Sequence, residues 1–417
     1  MKIDWARLNY ILIPTPPRAA GAPGKPLPRV VRVFIGIGRS LTDTGRAMLV
    51  ATFLVGALSL DISRTTAYVL FAVLAGVVYT SLAAGRLLSP KGLSASLRGP
   101  ARAVAGEDVS FVVVAKNDTD EAREVLVVRG PFLPHFGEYV RRPTVVESVP
   151  PSGEGTSIVT LRFTRRGDLH LDPFRVARLV PLGLSTGPAV ETEPLRLRVV
   201  PRPANVTRVD VLGAARHQPG GVPLASRTGE SMDLKGVRPY RPGDPLRDLH
   251  ARTWARTGTP FVREYQEEYF SRVGVVLDTD ASDEASFEAA VSLAAGVVAR
   301  LARGETLVDL LLVGDDLSDL TIGRSLGFLD QALDALAVAE HKPGFDAARL
   351  VARLAPYAGR LSAVVFVTTS WDARRAEVVA AIEERGPAVR AILVGRGEGP
   401  FQAVDPESIE RGEALSL

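Results

Sequence analysis

Two charge-free apolar runs near the N-terminus constrain this chain more than any other feature. AMLVATFLVGALSL lies between Arg46 and Asp61, TTAYVLFAVLAGVVYTSLAAG lies between Arg64 and Arg86, and only Asp61-Ile62-Ser63-Arg64 joins them. A bilayer core takes a helix of about 20 apolar residues, because a helix satisfies its own backbone hydrogen bonds where water is absent. The second run meets that length. The first is shorter and relies on snorkelling by Arg46 or on extension back through Gly45 and Thr44. The pair reads as a transmembrane helical hairpin over 47–86, with a soluble helical hairpin as the alternative. Arg29, Arg32, Arg39 and Arg46 precede it and Arg86, Lys91, Arg98 and Arg102 follow it. Excess positive charge at both ends places them, and the bulk of the chain, on the cytosolic side of the inner membrane.

The regions flanking the hairpin differ in pattern. Residues 1–46 form an N-terminal segment and linker. Ile3, Trp5, Leu8, Ile11 and Leu12 make a short apolar face suited either to a membrane surface or to a buried terminal turn, and Pro14 to Pro28 is a Pro/Gly/Ala-rich connector. The apolar run begins too far from Met1 for a cleavable signal peptide. Over 93–201 the sequence shifts to short β-rich runs, among them VSFVVVAK, REVLVVRG, TSIVTLRFTR and LRLRVVP, separated by turns such as Lys116-Asn117-Asp118-Thr119-Asp120 and Pro150-Pro151-Ser152-Gly153. This predicts a β-sandwich whose role is spacing or protein contact. Its histidines, His135 and His170, stand alone.

After an arginine-rich segment at 202–272, residues 273–417 alternate apolar strands with amphipathic helices, the pattern of a mainly parallel sheet covered on both faces. VGVVLD, LVDLLLVG, LSAVVFVTT and AVRAILVG are the expected strands. Phe287, Ala290, Val291, Ala294, Val298 and Leu301 recur at helical spacing and form the core face of the first helix. The chain is therefore multi-domain: hairpin, β-sandwich, then an α/β domain of Rossmann type.

Composition narrows the chemistry. Fifty basic residues face forty-seven acidic ones, a net charge of +3 that does not commit the chain to nucleic acid. The lack of cysteine excludes disulfides, thiolate metal sites and cysteine nucleophiles, and five histidines leave little for a histidine-rich metal centre. No P-loop or H-E-x-x-H is present, neither a G-x-S-x-G elbow nor a dinucleotide fingerprint follows the first strand of the α/β pattern, and a lone His250 among acids and arginines lacks a nucleophile to serve.

The segment Gly229 to Glu264 packs arginines and acids together. Arg238, Arg241, Arg247, Arg252, Arg256 and Arg263 accompany Asp233, Asp244, Asp248 and Glu264 around a Pro242-Gly243-Asp244 turn. Three readings are open: an ion-pair network fastening the turn to the sheet, a dock for an acidic protein surface through arginine's planar fork, or a phosphate or nucleic-acid site. The segment resembles the signature of the bacterial domain-of-unknown-function-58 family through Gly229-Glu230, Arg238, Tyr240, Pro242-Gly243-Asp244, Arg247, His250, Arg252, Ala255-Arg256 and Val262-Arg263-Glu264. Ala251 stands where that signature has tryptophan, and Trp254 follows instead. Arg166-Gly167 and Val180-Pro181-Leu182-Gly183-Leu184 extend the resemblance, the latter without the acid of the family's Asp-Pro-Phe-Gly-Leu turn.

Ligands of open α/β sheets bind where strands end, and Asp278 ends the first strand. Asp278-Thr279-Asp280-Ala281-Ser282 resembles the D-x-S-x-S metal-dependent adhesion motif of von Willebrand factor A domains, with Asp280 in place of the first serine. The resemblance implies a Mg²⁺ site on Asp278, Asp280 and Ser282, helped by Asp346 or Asp372; alternatively Asp280 and Ser282 cap the next helix.

The family resemblance further implies a membrane-anchored adaptor or scaffold acting with a MoxR-type AAA+ ATPase on a protein client, in assembly of complexes or of the envelope. Arg238, Tyr240, Asp244, Arg247, His250, Arg252, Arg256 and Arg263 are then the partner-binding residues. A metal-dependent enzyme at the Asp278 crevice and a structural envelope-morphology protein are the alternatives.

Overall fold

A computed structural model describes residues 36–38, 40–58, 65–210, 234–265, 272–281, 283–303, 307–313, 318–321, 326–358 and 361–417. The N-terminal apolar face with its linker, the Asp61–Arg64 connection, Gly229-Glu230, Asp233 and Ser282 lie outside them. The chain divides into two compact units, one reaching to Arg202 and including Leu336–Val338, the other comprising the rest.

In the first unit the apolar runs form α1 (Asp43–Leu58) and α2 (Thr65–Leu87). α2 is long and apolar enough to cross a membrane, and only 11% of its apolar window is buried. Leu49, Phe53, Leu54, Tyr68, Val69, Val73 and Tyr79 all face outward. An exposed apolar surface of this extent is costly in water.

The strands that follow are β1 (Leu93–Arg98), β2 (Arg102–Val104), β3 (Asp108–Asn117), β4 (Arg123–Arg129), β5 (Gly137–Arg141), β6 (Val146–Val149), β7 (Glu154–Phe163), β8 (Gly167–Leu171), β9 (Arg175–Arg178), β10 (Val190–Glu191) and β11 (Leu195–Val200). They build sheets of order β1-β3-β7-β5, β10-β9-β4-β6 and β2-β11-β8. Period-two alternation explains the core: Val109, Phe111, Val113 and Ala115 of β3 point inward, as do Val159 and Leu161 of β7, and they meet Leu126, Val128, Phe174 and Val176. The Val180–Leu184 turn, singled out for its missing acid, seats the helices. Thr42 donates its hydroxyl to the Gly183 carbonyl at 2.6 Å, Ser81 and Ser185 hydroxyls pair at 2.8 Å, and Leu41 bridges Ser185. Gly45 permits the approach, since a Cβ there would lie 1.8 Å from the Leu184 carbonyl oxygen.

In the second unit β12 (Val206–Arg208) pairs in parallel with β21 (Leu415–Ser416), and β13 (Leu234–Pro239) with β14 (Phe261–Tyr265) makes an antiparallel ribbon carrying α3 (Ala251–Thr257). The main sheet comprises β15 (Arg272–Asp278), β16 (Leu307–Val313), β17 (Ser318–Thr321), β18 (Ala363–Thr368), β19 (Ala388–Val394) and β20 (Gln402–Val404), in the order β17-β16-β15-β18-β19-β20. All neighbours are parallel except β17 on β16. The helices are α4 (Glu284–Ala302), α5 (Leu326–Ala337), α6 (Ala347–Ala358), α7 (Ala373–Glu383) and α8 (Pro406–Glu410). β15 and β18 are buried on both faces, as a parallel sheet between helices requires, which is why they read as unbroken apolar runs. α4 is also long and apolar, but 61% of its window is buried, making it a core helix. Phe287, Ala290, Val291, Ala294 and Val298 form its inner face as expected, while Leu301 is only partly buried.

Candidate functional site

Strand order reverses direction at β15, with β16 on one side and β18 on the other, so the crevice beyond Asp278 and Thr368 is the topological switch point of the sheet. Asp278, which ends β15, is fully buried there. Its Oδ1 accepts the Asp280 backbone N–H at 2.9 Å, and its Oδ2 lies 2.9 Å from the Thr368 hydroxyl at the end of β18. The crevice is filled by Arg375 from the first turn of α7, a side chain 2% exposed. Its Nε donates to Asp278 Oδ2 at 2.7 Å, Nη2 to Asp280 Oδ2 at 2.9 Å and Nη1 to Asp372 Oδ2 at 3.1 Å. The guanidinium also lies over the Phe345 ring, 4.4 Å from its centroid.

The surrounding loops are locked to the same group. Gly344 donates its N–H to Asp280 Oδ1 at 3.0 Å, Lys342 donates its own to the Thr279 carbonyl at 3.1 Å, and Arg374 donates to Asp372 Oδ2 and to the Phe345 carbonyl. Burial pushes the Asp278 carboxyl above the usual carboxylate range, against the pull of Arg375. Burial also opposes ionisation of Asp280, but the Gly344 N–H and Arg375 outweigh it and hold that carboxyl below the usual range. At Asp372 burial is likewise outweighed, here by the Arg375 backbone N–H and by Arg374. For Arg375 itself the desolvation cost is overcome by Asp278 first, and the guanidinium stays charged.

Of the residues expected at this site, Asp278, Asp280 and Asp372 converge. Asp346 is exposed and instead caps α6, accepting the Arg349 N–H at 3.0 Å. The capping reading of Asp280 needs correction: Asp283 is the N-cap of α4, accepting the Ser286 N–H at 2.8 Å, because Asp280 is already turned toward Gly344 and Arg375. The residue that sequence reasoning missed is Arg375. A second such omission is the ion pair of Arg272 with the buried Asp309, joining neighbouring strands with contacts of 2.5 and 3.0 Å.

The arginine-rich segment is organised differently. Arg241, Pro242, Gly243 and Asp244 form a turn closed by the Asp244 N–H on the Arg241 carbonyl at 3.0 Å, with Gly243 at φ 107°, which is why glycine stands there. Arg238 on β13 grips Asp244 with two bonds of 2.7 and 2.8 Å, and the Arg241 N–H adds a third of 2.8 Å. Arg238 first and the Arg241 N–H second lower the Asp244 pKa to about 2. His250 is the N-cap of α3, its Nδ1 accepting the Thr253 N–H at 3.3 Å and pairing with the Thr253 hydroxyl at 2.7 Å. Tyr240 is half-buried, its N–H on the Pro260 carbonyl at 2.9 Å.

Arg241, Arg247, Arg252, Arg256 and Arg263 are all exposed. Arg247 reaches only its neighbour Asp248 at 4.0 Å, and the other four form no ion pair among the described residues. Arg252 and Arg256 share one face of α3, four residues apart. Leu246 and Trp254 are exposed on the same module, at 71% and 44%. So the network reading holds for Arg238 and Asp244, whereas most of the segment's arginines are left to solvent.

No curated protein matches the chain. Among solved structures it is similar to the secreted serine protease VesC from Vibrio cholerae, at 7% identity and a TM-score of 0.18, over 27% of this chain and 24% of that one. A likeness that faint carries no argument about fold or chemistry. The informative match is to a family and runs from the ribbon through the buried cluster to α7: over residues 236–380 the chain matches the model of the family described as protein of unknown function DUF58.

Proposed function

We propose that this protein is a membrane-anchored adaptor that docks an acidic protein partner on the module formed by β13, α3 and β14. One observation carries the reading: five arginines on a compact, internally braced module point to solvent, and among the described residues only Arg247 comes within ion-pair distance of a carboxylate. Exposed arginine beside tryptophan is also the composition of binding hot spots. A balanced total charge favours a local protein contact over nucleic acid. In this reading α1 and α2 span the inner membrane with both ends on the cytosolic side, the strand-rich unit is a β-sandwich, and the second unit is a von Willebrand factor A-like domain. The family resemblance points to a MoxR-type AAA+ ATPase as the partner that supplies hydrolysis, with a protein client between them.

The test is purification of the full-length protein in mild detergent from its own cells, followed by mass spectrometry of what comes with it. An AAA+ ATPase recovered with the natural chain and lost with Arg252→Glu/Arg256→Glu supports the reading. Absence of any ATPase, even after crosslinking, sinks it and favours an architectural role.

A further inference from the structure

A Mg²⁺ ion in the strand-end crevice needs carboxylate oxygens free to approach within about 2.1 Å in a near-octahedral set. The donor set here does not fit that demand. Both oxygens of Asp278, Asp280 and Asp372 already accept hydrogen bonds. Oδ1 of each takes a backbone N–H, from Asp280, Gly344 and Arg375 respectively. Oδ2 of each takes a different nitrogen of the one guanidinium. The Thr368 hydroxyl at the end of β18 is held by Asp278, the Ser370 backbone and Arg375 Nε at 3.2 Å. A divalent ion reaching these oxygens would meet a fixed positive charge that has no exit to solvent.

We infer that Arg375 is the resident cation of this domain: its guanidinium takes the role that a divalent ion plays in metal-dependent adhesion sites. It ties the end of β15, the 342–345 loop and the start of α7 into a closed knot. Two consequences follow from the geometry. The switch-point crevice is a structural centre and not a ligand site, and a partner must be met on another surface. The planar fork is also essential, because three carboxylates lie on three nitrogens and an ammonium cannot reproduce that spread.

The experiment uses the full-length protein in detergent with Mn²⁺ as the probe at constant ionic strength. Two signals are followed: the electron paramagnetic resonance of free Mn²⁺ and the melting temperature. The natural chain is expected to leave Mn²⁺ free and to melt at the same temperature with or without it. Arg375→Ala is expected to melt at least about 6 °C lower, as removal of one partner from a buried ion cluster should. It is also expected to gain a Mn²⁺-dependent rise in melting temperature, because three carboxylates then converge without a cation. Stoichiometric Mn²⁺ binding by the natural chain that Asp278→Asn abolishes would overturn the inference, as would an Arg375→Ala protein that melts like the natural one. Should Arg375→Ala fail to fold, Arg375→Lys supplies the comparison: reduced melting temperature supports the fork, and an unchanged one overturns it.

Discussion

Arginine does opposite work in two regions of the second unit. At the end of β15 one arginine is enclosed by three carboxylates and an aromatic ring; on the ribbon five arginines stand in water, with one long ion pair, Arg247 to Asp248, among the described residues. The difference lies in desolvation. A buried guanidinium is tolerable only when each nitrogen finds an acceptor, and once it has them it is unavailable to anything else. An exposed one keeps its hydration, contributes little to stability and stays free to exchange water for a partner's carboxylate. Arg238 stands between these extremes, partly buried and bidentate on Asp244, bracing the module on which the free arginines ride.

This contrast can be broken in graded steps. The largest effect is expected from Arg375→Ala, which leaves uncompensated buried carboxylates and should cost about 3–5 kcal/mol in denaturant unfolding of the second unit. Asp372→Ala removes both an α7 cap and one arm of the cluster, but at a half-exposed position, and should cost roughly 1–2 kcal/mol. Asp244→Asn should loosen the ribbon locally, seen as faster amide exchange over 234–265 with the main sheet unaffected. The same pair fixes a pH dependence. Because the folded Asp244 pKa is depressed to about 2, its contribution is complete at neutral pH, begins to fall below the ordinary aspartate value of 3.8, and is gone once the pH passes below about 2. Carbon-13 titration of labelled aspartates should show a carboxylate still ionised at pH 3 that is missing from Asp244→Asn. Smallest of all for stability is the joint change of Arg241, Arg247, Arg252 and Arg256 to Glu, expected within about 0.5 kcal/mol of the natural chain. If those substitutions unfold the unit, the ribbon arginines are structural and the comparison fails.

Long-period features of this chain were legible from sequence and short or distant ones were not. The runs VGVVLD and AVVFVT announce themselves because strands buried on both faces are apolar throughout, and the switch-point rule leads from there to Asp278. β17, β20 and β21 are four residues or shorter, too brief for any alternation to register. Asp280 and Asp372 were visible as strand-end acids, but their meaning depends on Arg375, which lies 97 residues from Asp278 in a helix whose opening Ala-Arg-Arg-Ala looks like a solvated face. The one local signal was the three-residue spacing from Asp372 to Arg375, the spacing of a capped first turn. On the ribbon, sequence located the arginines and the turn, yet exposure decides which of them pair, and exposure is a property of the folded surface alone.

The seating of α1 and α2 on the Val180–Leu184 turn has a mechanical consequence. Backbone meets backbone at Gly45 and Leu184, and the Ser81 and Ser185 hydroxyls close a buried contact from the other helix. Through these contacts a pull or twist applied to the strands of the first unit is delivered to its helix pair as torque, so that whatever grips the former also steers the latter.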